Sequence, residues 1–162
     1  MAWSQINLPL GKRMKKEDNV SNLRKILAEN RDKRVVVIGT TCTGKSRLVK
    51  EIEEAEDMDE LVFPKLSKAE SDYVCQKPWT PEIGKKMTEL TKQKVLVRPG
   101  HPVFGTVVLD ADLIVYLKIS DELLAERVRS RRKSFEDAKH MQEQIKKEIA
   151  AANVPVITVA ID

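Results

Sequence analysis

The stretch that most constrains this chain is Gly39-Thr40-Thr41-Cys42-Thr43-Gly44-Lys45-Ser46. Its spacing fits G-x-x-x-x-G-K-[ST] without departure. Just before it, Val35 to Ile38 is an unbroken β-branched run, the pattern of a strand buried on both faces in a parallel sheet. Just after it, Leu48, Val49, Ile52 and Ala55 recur at helical spacing. A buried strand therefore runs through a glycine-bounded loop into a helix. Glycine permits positive φ, which lets successive backbone N–H groups converge on an anion. The start of the following helix adds its positive dipole end.

That arrangement predicts a bound nucleoside triphosphate, ATP, with Mg²⁺. Gly39, Thr40, Thr41, Cys42, Thr43, Gly44, Lys45, Ser46 and Arg47 form the expected cofactor site. Lys45 is the compact cation for the β- and γ-phosphates, and the Ser46 hydroxyl is the expected metal ligand. The threonines read as loop formers and Cys42 as a small inert side chain.

The rest of the chain suits such a site. At 162 residues it has the length of one domain. Hydrophobic residues make up 41% and charged residues 33%, with a formal net charge of +4. That excess attracts polyanions such as nucleotides but does not by itself signify nucleic acid. Cys42 and Cys75 fit neither a metal-ligand spacing nor a disulfide framework. With no leader-like segment and no long apolar run, the expectation is a cytoplasmic protein with no membrane association. Residues 1–18, with Lys12, Arg13, Lys15 and Lys16, read as a flexible basic arm; a nucleic-acid or localisation role is the alternative. Residues 19–162 read as a single nucleotide-binding domain.

Along that domain, Leu23, Ile26 and Leu27 suggest a short helix before the first strand. Leu61 to Phe63 is a short strand candidate stopped by Pro64. Thr80-Pro81 has the chemistry of a helix start, and Ile83, Met87 and Leu90 continue the helical spacing. Lys94 to Val97 reads as a strand ended by "RPGHP", and "ADLIVYLKI" as the next. Ser120 and Ser134 are expected caps, with Ala138, Met141, Ile145, Ile149 and Ala152 as an apolar stripe behind Ser134. Pro155 to Ile161 is the last strand. Strands alternating with helices predict an α/β fold, a three-layer α/β/α sandwich on a parallel, roughly five-stranded sheet.

Two motifs carry a family resemblance. "GTTCTGKS" lies early in a small α/β domain, and "ADLIVYLKISDELLAERVRSRRKS" resembles the strand, helix and lid of small P-loop kinases of the nucleoside monophosphate and shikimate type. Arg127 and Arg131 match the L-x-x-R-x-x-x-R pattern of that helix. The resemblance spans roughly residues 34 to 160. It implies a P-loop NTPase fold, lid helices near 121–152 and an ATP-dependent phosphotransferase in which Lys45, Arg127 and Arg131 are catalytic. Independently, arginines at i and i+4 share a helix face, where they can stabilise charge shifting during phosphoryl transfer.

The resemblance has a gap. P-loop NTPases commonly place an aspartate on the neighbouring strand for Mg²⁺, whereas "KVLVRPGHP" puts Arg98 and Pro99 there. Asp59 or Glu60 is the alternative source of a carboxylate; Asp112 reads as a strand entry. For the acceptor, the expected contacts are Arg98, Glu70, Asp72 and His101. Lys65 and Lys68 suit an acceptor that is already phosphorylated, and Tyr73 and Trp79 suit stacking on a base. The expected partners are a nucleoside triphosphate and a small acceptor such as a nucleoside, nucleotide or similar metabolite. Two other functions stay open. One is a nucleotide-binding NTPase or regulator without a second substrate. The other is a kinase or transferase acting on nucleic acid, a less expected partner.

Overall fold

The computed structural model describes residues 16–161. The basic arm expected over residues 1–18 therefore lies mostly outside the described residues, and its last positions begin a helix. That helix, α1, spans Lys16–Glu29, longer than the apolar residues alone suggested. The other helices are α2 (Lys45–Glu51), α3 (Met58–Val62), α4 (Lys68–Val74), α5 (Pro81–Lys94), α6 (Asp121–Ser130) and α7 (Phe135–Ala152). The strands are β1 (Val35–Ile38), β2 (Glu56–Asp57), β3 (Val103–Gly105), β4 (Leu113–Ile119) and β5 (Val156–Ile161).

The strands form one five-stranded sheet in the order β2-β3-β1-β4-β5, with every pairing parallel. Helices cover both faces, as the alternation of elements predicts. On one face α1, α2 and α6 pack Leu23, Leu27, Leu48, Leu124 and Val128 against Val35, Val37, Phe104 and Val115. On the other, Met58 and Val62 of α3 and Ile145 of α7 meet Val36, Ile38, Val103 and Ile114. Alternate residues of β1 thus enter different cores, because successive side chains of a strand point to opposite faces. All four β1 residues are buried. The continuous apolar run needed that environment.

Two strand expectations are corrected. Leu61 to Phe63 is helical, belonging to α3 and to a 3-10 turn over Phe63–Lys65. The cause is local: Asp57 Oδ1 accepts from the backbone N–H groups of Asp59 at 2.8 Å and Glu60 at 3.3 Å, which starts a helix. The strand instead falls just upstream, at Glu56–Asp57. Lys94 to Val97 is not a strand either. Lys94 ends α5, and Val95 and Val97 fill the core without pairing. Val103–Gly105 takes the slot beside β1. Between them Arg98 and His101 form an isolated antiparallel bridge, with Gly100 at φ 79. That turn redirects the chain before β3.

The caps follow the sequence. Thr80 Oγ1 accepts from Ile83 N–H at 3.3 Å, Ser120 Oγ from Leu123 N–H at 3.2 Å, and Ser134 Oγ from Asp137 N–H at 3.2 Å. The expected stripe behind Ser134 lies inward, with Ala138 and Ile145 buried and Met141, Ile149 and Ala152 partly so. Among the described residues no helix is long and apolar enough to cross a membrane.

Candidate functional site

From β1 the chain runs to the β2 edge, returns to β3, and then crosses β1 to reach β4. Such a reversal opens a crevice beyond the carboxyl ends of the strands. The segment from Gly39 to Ser46 leaves the carboxyl end of β1 at this reversal. Gly39 N–H donates to Gly105 O at 3.2 Å, so the loop starts level with the end of β3.

Backbone geometry explains the residue types. Gly44 has φ 95, in the left-handed region, and is the N-cap of α2. Cys42 also has positive φ, 67. Two left-handed positions thus lie within one short loop, a conformation of the kind that lets successive amides converge. At Gly39 a Cβ would lie 2.8 Å from Thr43 Oγ1 and 3.2 Å from Leu117 Cβ, so the loop packs against β4 too closely for a side chain. Thr40 and Thr43 are buried and satisfied: Thr40 Oγ1 donates to Ala138 O at 2.6 Å and Thr43 Oγ1 to Thr40 O at 2.9 Å. Thr40 thereby ties the loop to the first turn of α7. Thr41 is half-buried, while Ser46 and Arg47 are exposed.

Lys45 folds back over the loop. Its Nζ donates to Thr40 O at 2.6 Å and to Thr43 Oγ1 at 3.1 Å. Burial pushes its ammonium down to about 8, the nearby Arg131 charge working in the same direction, against the pull of Asp57 and Asp59. Arg127, on α6, reaches across so that Nη1 donates to Cys42 O at 3.2 Å. The same Nη1 would lie 3.6 Å from a Cβ at Gly44. Its pKa is lowered by burial and by Arg131, and Arg47 also contributes. Among the described residues, Lys45, Arg47, Arg127 and Arg131 have no carboxylate within ion-pair distance. Cations gathered in this way repel one another, a repulsion that a bound polyanion would relieve.

Two carboxylates lie near Lys45. Asp57 ends β2 and caps α3, and Asp59 lies in the first turn of α3; both act electrostatically on Lys45. Asp59 is held above its ordinary value, first by burial and second by Asp57, while Lys45 draws it down. Sequence reasoning had named Asp59 but missed Asp57. The cue was its place directly before Met58, two residues ahead of Asp59.

The sheet also separates residues that sequence reasoning had grouped. Arg98 and His101 precede β3 and so lie at the amino ends of the strands, away from the loop. There Arg98 Nη2 lies 3.4 Å from Glu56 Oε2 and His101 Nδ1 lies 3.2 Å from Glu54 Oε2. A cavity of about 490 Å³ opens at that same end, among Arg24, Leu27, Arg31, Val35, Ile52 and Pro102, and touches no residue of the loop. Glu70 is engaged in the capping box of α4 with Ser67, and its pKa is lowered mainly by the Ser67 backbone N–H. Asp72 pairs with Lys68 at 3.0 Å in solvent. Neither is drawn to the loop. With β3 reassigned, the position next to the loop is Gly105-Thr106 rather than Arg98-Pro99. Asp112 enters β4 as expected, and its carboxylate accepts from the Arg34 backbone N–H at 2.9 Å.

Neither a scan against protein-family models nor a search of curated proteins returns a match.

Proposed function

We propose that this chain is an ATP-binding phosphotransferase of the P-loop kind, acting on a small acceptor with Mg²⁺. The observation that carries the reading is the gathering of Lys45 and Arg127 on the Gly39–Ser46 loop, with Arg131 close enough to act on both and Asp57 and Asp59 close enough to act on Lys45. Phosphoryl transfer needs little covalent help from protein; it needs cations on the transferring group and a positioned acceptor. In this reading the loop amides and Lys45 hold the β- and γ-phosphates. Ser46 and Asp57 serve the metal, which neutralises phosphate charge when bound. Arg127 and Arg131 stabilise the charge that develops during transfer. Asp59 takes the proton of an acceptor hydroxyl, and its raised pKa suits a base.

Calorimetric titration with MgATP, followed by turnover against nucleosides, nucleotides and non-aromatic alcohols, tests the proposal. Saturable ATP binding and acceptor-dependent ADP release are expected. Failure to bind ATP would end the reading. A second reading, a nucleotide-binding NTPase without an acceptor, is favoured by the absence of a carboxylate at Gly105-Thr106. Binding with slow hydrolysis that no acceptor changes would select it.

A further inference from the structure

We infer that the cavity at the amino ends of the strands is a second ligand site, one that takes a small carboxylic acid with an apolar body. It lies at the opposite end of the sheet from the Gly39–Ser46 loop and does not depend on the phosphotransferase reading.

The cavity holds about 490 Å³, inside the range of ~300–1,000 Å³ common for small-molecule sites. Four parts of the fold meet around it: the carboxyl end of α1, the first residue of β1, the carboxyl end of α2 and the turn at Gly100. Leu27, Val35, Ile52 and Pro102 give it an apolar floor. The first three also belong to the core beneath, so the floor is already ordered and a ligand pays little entropy to meet it. The rim is of another kind. Arg24, Arg31 and Lys33 line it, all exposed. None of them has a carboxylate within ion-pair distance among the described residues.

Arg24 is held in place before any ligand arrives. Its Nε and Nη2 both donate to Glu51 O, the last carbonyl of α2, where a cation suits the negative end of the helix dipole. Its other N–H groups have no partner among the described residues, and a fixed guanidinium fork matches the two oxygens of a carboxylate. Glu53 and Glu54 also line the rim. Glu54 Oε2 lies 3.2 Å from His101 Nδ1, while Glu53 has no ion-pair partner among the described residues. Three cations against two carboxylates leave a surplus of one positive charge. A multiply charged phosphate would meet Glu53 and Glu54 as like charges, a repulsion that favours a single negative charge on the ligand. The floor in turn favours an apolar body behind that charge, since a bare inorganic anion buries no apolar surface there.

Calorimetric titration of the full chain with butanoate, hexanoate and octanoate tests the inference, with hexylamine and hexanol as cationic and neutral forms of the same body. Saturable binding of the carboxylates is expected, tightening roughly 4-fold for each CH₂ that the floor covers. Hexylamine and hexanol should bind much more weakly than hexanoate. No saturable binding of any carboxylate, equal binding of the amine, or an affinity indifferent to chain length would each overturn the inference. Excess MgATP or inorganic phosphate should leave the hexanoate isotherm in place; competition by either would move the ligand to the loop or reduce the site to a general anion site, and would overturn it too. Ala28 lines the cavity, so Ala28→Trp should fill it and abolish hexanoate binding. Arg31→Ala should weaken hexanoate roughly 10-fold or more, the worth of a hydrogen bond to a charged group. Arg31 is exposed and lies beyond the end of α1, so this variant keeps the test if Ala28→Trp fails to fold in a thermal melt. Folded variants that bind hexanoate as wild type does would overturn the assignment to this cavity. A failure to bind ATP would instead end the phosphotransferase reading and leave this site standing.

Discussion

Replacing Lys45 with methionine should make the protein more stable and unable to bind ATP. Burial lowers the Lys45 ammonium from an ordinary 10.5 to about 8. The unfolded chain therefore holds this proton more tightly than the folded one. Stability then rises with pH between about 8 and 10.5, and the full penalty applies below about 8. At ~1.36 kcal/mol per pH unit the penalty is at most about 3.4 kcal/mol. Part of it is offset by the bonds from Nζ to Thr40 O and Thr43 Oγ1, which methionine leaves unmade at about 1 kcal/mol each. Methionine keeps the length of the apolar stem and adds no charge. The expected gain near neutral pH is about 1–2 kcal/mol, or roughly 2–8 °C in Tm for a chain of this size. Thermal melts of both proteins, from about pH 7 to pH 10.5, read the difference directly. The gap should narrow as pH rises, because wild-type Lys45 loses its proton in the folded state. MgATP at about 100 times its Kd should raise wild-type stability by ~2.7 kcal/mol and leave the variant unmoved. A variant less stable than wild type at pH 7, or a gap indifferent to pH, would contradict the claim that Lys45 is held at a cost for function.

Other perturbations address the rest of the site. Asp59→Asn should lower turnover on a hydroxyl acceptor by about 10²–10⁴-fold while calorimetry shows ATP still bound; unchanged turnover would remove Asp59 as the base. At Gly105 a Cβ would lie 2.3 Å from Met58 Sδ and 2.8 Å from Met58 Cγ. Gly105→Ala should therefore push α3 from β3 and cost about 1–3 kcal/mol in urea titrations, and a neutral outcome would mean that Met58 repacks freely. Asp112 joins Arg34 to the start of β4, and its carboxylate is held below the ordinary value chiefly by the Arg34 guanidinium. Its contribution should persist above the ordinary carboxylate range and disappear as pH falls through the lowered folded value. Asp112→Ala should accordingly destabilise at neutral pH and much less in strong acid, by pH-dependent melts, whereas Asp110, 92% exposed, should tolerate alanine.

Features written in contiguous residues were the legible ones. The loop at Gly39–Ser46, the helix starts at Thr80, Ser120 and Ser134, and the buried runs of β1 and β4 each depend on neighbours only a few positions away. Backbone φ preferences, caps and apolar periodicity act over that range. Strand identity around β1 was not legible in this way. "KVLV" has better strand residues than "VFG", yet the short segment occupies the sheet. That slot is assigned by competition among distant segments and by the turn at Gly100.

By itself, then, the sequence determined an alternating α/β chain with a glycine-bounded loop between a buried strand and a helix, and arginines one helical turn apart. Only the tertiary structure decided what meets that loop. The sheet order carries Arg98 and His101 to the opposite end, although they lie near β3 in sequence. It carries Asp57 and Asp59 to Lys45, and Arg127 to the carbonyl of Cys42 across 85 positions of chain. Convergence of this kind depends on which strands pair and which helix faces are buried. Those choices minimise the free energy of the whole core, and no local stretch encodes them.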